Sequence, residues 1–459
     1  MVGVIGIFLS LFLLMYFAYK GVSVIILTPL LALLALLFSG SIDILPVYTQ
    51  TYMSSLANFV GTYFPIFLLG AIFGKVMDKS GAAKSIANVI ARKLGKEKAI
   101  LAVVLSCAVL TYGGVSLFVV AFAVYPIAVS LFKEAGIPKR LIPGAIALGS
   151  FTFTMTAMPG TPQVQNAIPM PYFGTTTWAA PILGISASLV MLVLGCYWLM
   201  YRAKKGIAAG EGFGEHEEIK IDEEVKLKLP NFILSLTPIL LMLVLNYILS
   251  NYVFIEGFMN WEWLDQYKTT IAASGGTWSL IVALIVAIVV AMLSNLKVMK
   301  NNLHVINEGA TDSLFAILNT AAAVGYGNVI ATLGSFTVIK NALLGISSNP
   351  LIAEGISISC LSGVTGSATG GMSISLQALG DNLLQLATSS GISPEVLHRV
   401  ATVACGGLDS LPHNGAVITL LAVCGLSHKK SYFDIFMVSV AIPTVALVVT
   451  IILGSMGIV

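Results

Sequence analysis

Thr111–Phe118 reads TYGGVSLF, and Ala368–Ser375, far downstream, reads ATGGMSIS. Both stretches put a glycine pair and a serine in the middle of an otherwise apolar run. The surroundings of the first decide how it is read. Basic loops around Lys98 and Lys133 flank it with about 34 residues between them. If both loops face the same side of a membrane, the segment has to enter and return, so the spacing predicts a hairpin over 99–133. Two helices of about 16 residues reach roughly 24 Å at 1.5 Å per residue, enough to arrive at mid-membrane. Two glycines at the centre turn the chain and expose backbone amides. The same reasoning predicts a second hairpin over 351–388 centred on the later glycine pair.

Composition supports a membrane setting. Of 459 residues 57% are hydrophobic and 10% charged, with a mean hydropathy of +0.94, whereas soluble domains carry about 25% charge. Apolar runs near the 20 residues that cross a bilayer recur throughout. We expect spans at 3–19, 22–39, 59–78, 138–170 and 176–201, then at 231–254, 277–296, 309–334, 394–425 and 432–456. Between the two sets, Arg202–Lys228 holds thirteen of the forty-five Asp, Glu, Lys and Arg residues. This reads as a charged cytoplasmic linker, 202–230, between membrane repeats 1–201 and 231–459. The net charge of +3 is too small to suggest nucleic acid. Cys107, Cys196, Cys360, Cys405 and Cys424 sit in apolar sequence without metal or disulfide spacing, and are read as buried small side chains. We expect no metal and no cofactor. A basic n-region is missing from MVGVIGIFLS, so we read this stretch as the first span and expect no cleaved signal.

The two sets share a plan. GKVMDKSGAAKSI from Gly74 aligns without gaps to GNVIATLGSFTVI from Gly327, a shift of 253 residues. YGGVSL meets TGGMSI, AGIP meets SGIS, and MPGTPQ meets LPHNG, in the same order. Five spans per copy invert the second copy. The Ala82–Lys98 loop carries five Lys or Arg against Lys340 alone in its counterpart at Ser335–Leu351, which the positive-inside rule reads as opposite sides. Both termini are then expected outside. The fold class expected is an all-α integral membrane protein of two inverted-topology repeats, each with five transmembrane helices, one re-entrant hairpin and one broken helix.

The breaks are MPGTPQVQNAIPMP in 138–170 and LDSLPHNG in 394–425. Prolines and polar groups there predict half-helices whose N-termini suit an anion. Discontinuous helices at matching places in inverted halves point to a transporter site near the midplane. The candidate substrate-binding residues are Gly113, Gly114 and Ser116, with Thr369, Gly370, Gly371 and Ser373, at the hairpin centres. Thr161, Gln163, Asn166, Ser410 and Asn414 join them from the breaks. The competing reading of the glycines is helix packing through small residues, and that of the polar groups is satisfaction of backbone freed by proline. Asp409 and His413, within four residues of each other, are the candidate proton-coupling pair. The alternative is a helix cap and a backbone-bonded imidazole. Arg399 is read as an interfacial cation, or else as a substrate-attracting charge at the external mouth, and Asp381 as a second coupling candidate.

TYGGVSLFVVAFAVYPIA, LIPGAIALGSFTFTMTAMPGTPQVQNAIPMPYFGTT, SGVTGSATGGMSISLQALG and LDSLPHNGAVITLLAVCGL resemble the gluconate permease (GntP) family of the ion transporter superfamily, within it the D-beta-hydroxybutyrate permease branch. The resemblance covers most of the chain. It implies proton-coupled uptake of small hydroxy-acid anions through a multi-pass protein of a prokaryotic plasma membrane, and a homodimer working by an elevator motion. Gluconate carriers have a GLPLFF-like hairpin where this chain has GGVSLF, which favours a shorter monocarboxylate such as 3-hydroxybutyrate. The coupling ion expected is a proton, with sodium as the alternative. The rival readings are a sugar-acid symporter and a cation/proton antiporter. The antiporter is disfavoured because Asp409 is nearly alone as a membrane carboxylate. We find no HExxH, paired-Asp or GxxxxGK[ST] motif, and expect no enzyme.

Overall fold

The computed structural model describes residues 2–214, 229–295 and 302–459. Within them the chain is helical, with no strand. In order, α1 (Val2–Tyr19) and α2 (Val24–Phe38) form an antiparallel pair, and the single turn α3 (Ile44–Pro46) leads into α4 (Met53–Lys79) and α5 (Ala82–Leu94). Next come α6 (Ala99–Tyr112) and α7 (Leu117–Glu134), the short pieces α8 (Ile142–Ser150), α9 (Phe153–Thr156), α10 (Val164–Ala167) and α11 (Met170–Phe173), and the long α12 (Pro181–Ala208). The later part runs α13 (Phe232–Ile248), α14 (Ile271–Ser294), α15 (Asn302–Thr332), α16 (Phe336–Leu344), α17 (Pro350–Thr365), α18 (Ala368–Ser389), α19 (Pro394–Cys405), α20 (Gly415–Cys424), α21 (His428–Phe436) and α22 (Ile442–Ser455).

Local chemistry sets many of these boundaries. Asn231, Thr270, Asn349 and Ser393 each accept a hydrogen bond from an amide in the first turn of the helix that follows, the role for which short polar side chains are preferred. Proline opens α12, α17 and α19, where its missing N–H costs nothing. Apolar side chains then decide the packing. On α12, Ile182, Ile185, Leu189, Val193 and Tyr197 are exposed at helical spacing, while Leu183, Ala187, Met191 and Leu199 are buried. A helix apolar on both faces suits lipid on one side and protein on the other. Seven helices among the described residues are long and apolar enough to cross a membrane, and four more are apolar but shorter.

α4 and α15 lie against each other at the centre, with α2 against α15 and α14 against α4. Lys75 on α4 pairs with Asp312 at 3.0 Å and Glu308 at 3.4 Å on α15. The two glycines aligned in the sequence each sit at a close contact. An added Cβ on Gly74 would meet the Ser116 amide of α6–α7, and one on Gly327 would meet Ile374 of α18.

Several expectations change. The stretches read as loops at 82–98 and 335–351 contain α5 and α16. The linker begins later than 202, because α12 continues to Ala208; its stretch at 215–228 lies outside the described residues. The hairpin arms are unequal, 14 and 18 residues for α6 and α7, 16 and 22 for α17 and α18. The second hairpin turns at Gly366, which has φ +60°, and not at Gly370–Gly371, which lie inside α18. The span expected at 138–170 is four short helices, not two halves of one. Four cysteines are buried as expected, but Cys360 is exposed.

Candidate functional site

Each hairpin turn rests on the broken segment that follows it in sequence. At the first, Gly114 has φ +86°, and an added Cβ would stand 2.8 Å from Pro162, so only glycine fits both the turn and the contact. Gln163 Nε2 donates to the Thr111 carbonyl at 2.8 Å and to that of Val115 at 3.4 Å, and the Tyr112 hydroxyl donates to the Pro159 carbonyl at 2.8 Å. At the second, an added Cβ on Gly366 would stand 2.7 Å from the His413 ring. Asn414 Nδ2 donates to the Gly366 carbonyl at 3.0 Å and to the Asp409 carbonyl at 2.8 Å. The two breaks also meet, since an added Cβ on Gly406 would lie 2.5 Å from the Thr156 methyl. The fold thus brings Gly113, Gly114, Thr161 and Gln163 into one cluster and Asp409, Ser410, His413 and Asn414 into another, joined where the breaks cross.

The half-helix N-termini expected to hold an anion are otherwise occupied. Asn414 Oδ1 accepts from the Ala416 and Val417 amides and so caps α20. Ser367 caps α18 through the Gly370 amide at 3.1 Å, and α10 is four residues long. Ser116, by contrast, makes no side-chain bond to the first amides of α7 and is half-buried. Of the hairpin helices that begin at a turn, α7 is therefore the one whose first amides are uncapped. Polar atoms without partners occur in both hairpins and both breaks. Thr111 and Thr161 are fully buried with unbonded Oγ1 atoms, and Ser362, Ser373 and His413 Nε2 are likewise without a partner. Buried polar groups left open are uncommon and call for a cause, such as a missing ligand or water.

Other expected residues are used structurally. Gly371 sits so close to α17 that an added Cβ would lie 2.2 Å from the Ser362 amide nitrogen; it serves helix packing. Thr369 faces the Thr320 hydroxyl of α15 at 3.2 Å. Asn166 Nδ2 donates to the Thr161 and Thr177 carbonyls, which leaves its Oδ1 to accept. That oxygen takes Arg399 at 3.2 Å and lies 3.1 Å from His398 Nε2, whose Nδ1 pairs with the Thr175 hydroxyl at 2.6 Å. Asp409 accepts from Ser410 at 3.1 Å; no ion pair or hydrogen bond joins it to His413 among the described residues. Asp381 is exposed.

Arg399 was read as an interfacial cation, and this is corrected. It is wholly buried. Its Nε and Nη2 donate to the Ala179 carbonyl at 3.1 and 2.6 Å, Nη2 also to Thr177 at 3.4 Å, and Nη1 to Asn166 and Thr402. All of its donor nitrogens are engaged, and it clasps α19 to the segment after the first break. A further correction concerns Asp409, which is not alone. Glu354 and Asp434 are buried carboxylates too, so the argument from scarcity against an antiporter falls. Glu354 was legible as the single charge in LIAEGISIS. A cleft of about 290 Å³ between α4, α15, α18 and the first break was missed; Ser55, Asn58, Thr62, Asn328 and Gln377 are among its polar lining. Nothing local in the sequence links those residues.

The sequence model for GntP family permeases matches residues 1–457. The chain belongs to the GntP permease family. This permease is 44% identical over 447 residues to the uncharacterized transporter YxjC of Bacillus subtilis (strain 168), covering 94% of this chain and 95% of that one. An uncharacterized transporter of Haemophilus influenzae is 26% identical over 352 residues, 75% of this chain and 74% of its own. Among solved structures, the permease superimposes on the YdaH transporter of Alcanivorax borkumensis, a protein of unusual topology, with a TM-score of 0.59 at 14% identity over 91% and 89% of the two chains. Neisseria gonorrhoeae MtrF, of a class of antimetabolite efflux pumps, gives 0.54 at 12% over 91% and 85%. Such low identity speaks for the fold alone. Family and fold together make the permease a multi-pass membrane protein and a secondary transporter, and point away from an enzyme.

Proposed function

We propose that the permease is a symporter that imports a small hydroxy-monocarboxylate, such as 3-hydroxybutyrate, together with a proton. The observation that carries this reading is the uncapped start of α7 at Ser116, beside the unbonded Thr111 and Thr161 hydroxyls. Amides and hydroxyls without partners fit a carboxylate and one or two hydroxyl groups. Gly113, Gly114, Ser116, Thr161 and Gln163 form the carboxylate side. His413, Ser373 and Ser410 line the opposite side, with Asp409 and His413 as the coupling pair, while Asn166, Asn414, Thr369, Gly370 and Gly371 hold the frame. The repeats 1–201 and 231–459 are inverted copies joined by the charged linker 202–230. Both termini face outward from a prokaryotic plasma membrane, and two copies associate through lipid-buried surface while the hairpin parts move as an elevator.

The test is uptake of labelled 3-hydroxybutyrate into proteoliposomes under an inward proton gradient, a sodium gradient, or neither. Accumulation with the proton gradient alone, competed by short hydroxy acids and not by gluconate, is the expected result. Accumulation of gluconate instead would overturn the substrate, and sodium dependence would overturn the coupling ion.

A further inference from the structure

Glu354 lies in the second turn of α17, the entering arm of the second hairpin. Its side chain is wholly buried, and neither carboxyl oxygen has a hydrogen-bond partner. The other buried carboxylates differ. Asp434 pairs with Arg140 and Arg202, each at 2.8 Å, and Asp409 accepts from Ser410. The elements packed on α17 are α1, α16, α18, α19, α22 and the turn Leu408–Ser410. Besides Tyr16 and Cys405, the side chains on them able to carry charge are Lys340, Asp381, Glu395, His398, Arg399 and Asp409. None reaches Glu354 by a hydrogen bond or ion pair among the described residues. Arg399 and His398 are engaged at Asn166 and the 177–179 carbonyls, and Glu395 accepts from the Ala180 amide. A carboxylate buried without a counter-charge is not sustained in such a place.

A second observation concerns what lies beside it. Ser357 Oγ donates to the backbone carbonyls of Ala353 at 2.8 Å and Glu354 at 3.1 Å and accepts from Ser375 of α18 at 3.2 Å. One turn further toward Gly366 lies the buried Ser362, its Oγ unbonded. Hydroxyls thus line the α17–α18 seam between Glu354 and the turn that rests on His413. Packing alone does not require them, since alanine would fill the same space.

We propose that Glu354 is a proton-binding site of the permease. Its carboxylate takes a proton from water on one side of the membrane and holds it as the neutral acid with the second hairpin in the position described. When that hairpin moves, the acid returns the proton to water on the other side. This rests on the reading that transport is proton-coupled, and adds a second site to Asp409 and His413.

Two measurements test it on the full-length protein in liposomes. Infrared spectra of wild type minus Glu354→Gln, without substrate at neutral pH, should show the carbonyl stretch of a protonated carboxylic acid, shifted in D2O and displaced again in Glu354→Asp. Absence of that band would overturn the proposal. In the transport assay, Glu354→Gln should keep exchange of labelled for unlabelled 3-hydroxybutyrate and lose accumulation driven by the proton gradient. Gradient-driven accumulation at the wild-type level would overturn it as well. The infrared readout needs no substrate, so a permease that ignores 3-hydroxybutyrate fails the reading above while the band still decides this one. Should Glu354→Gln fail to insert, the Glu354→Asp difference spectrum serves in its place.

Discussion

A methyl group added at Gly371 would sit 2.2 Å from the Ser362 amide nitrogen, whereas at Gly370 the nearest neighbour is the Ser367 hydroxyl at 3.1 Å. The two adjacent glycines therefore have different duties. Gly371→Ala must force α17 and α18 apart, at a cost of about 1–3 kcal/mol or more, while Gly370→Ala needs one side chain to yield. Thermal unfolding in detergent should show a clearly lower Tm for Gly371→Ala than for Gly370→Ala; equal values would mean that the hairpin does not pack this tightly. Arg399 makes a second case. A lysine there has three donors in place of the guanidinium fork and cannot serve Ala179, Thr177, Asn166 and Thr402 together. The Ala179 carbonyl accepts from Arg399 alone among the described residues, and leaving it unpaired costs on the order of 2 kcal/mol, so Arg399→Met should clearly lower Tm and Arg399→Lys should lower it by less. A variant as stable as wild type would remove the clasp.

Among elements, the short turn Lys139–Leu141 shows how the pieces before the first break are anchored. Arg140 Nε donates to Glu211 at 2.7 Å and Nη1 to Asp434 at 2.8 Å, and Arg202 from the end of α12 reaches the same Asp434. One arginine thereby ties the start of α8 to the segment after α12 and to α21. Hydrogen bonding to Arg140 holds the Glu211 carboxyl below the usual carboxylate range, against a smaller opposing effect of burial. A carboxyl lowered by folding adds stability above its unfolded pKa, near about 4.3, and loses it as pH falls through the folded value. Glu211→Gln should thus lower stability slightly at pH 7, by less than about 1 kcal/mol for so exposed a partner, read as a small drop in Tm. The difference from wild type should shrink in acid below about pH 4. No gap at pH 7 would assign the anchor to Asp434 alone.

For the whole molecule, the question is which parts move. The hairpins and breaks form one packed group, while α4 and α15 form the pair against which it lies. Thr320 of α15 and Thr369 of α18 face each other across that boundary, hydroxyl to hydroxyl at 3.2 Å. If transport slides one group along the other, a disulfide between Thr320→Cys and Thr369→Cys should abolish uptake and a reductant should restore it. The exposed Cys360 is replaced by serine in that background. Full uptake with the disulfide formed would mean that this boundary stays closed during transport.

How much could be read beforehand follows from the range of the forces involved. Apolar runs and proline and glycine punctuation act within or along the chain, and they sufficed for the helices, the two hairpins and the interrupted segments after them. They also singled out Gly114, Gln163, Asp409 and His413, because a turn or a broken helix advertises itself locally. The exact turn of the second hairpin escaped, since a left-handed Gly366 and a helix-packing Gly371 are the same letter in sequence. The burial of Arg399, the solitary Glu354 and the cleft at Asn58 and Asn328 were decided by tertiary structure alone. Whether a charge meets lipid, water, a carbonyl or nothing depends on neighbours brought in from distant parts of the chain, and no local pattern records them.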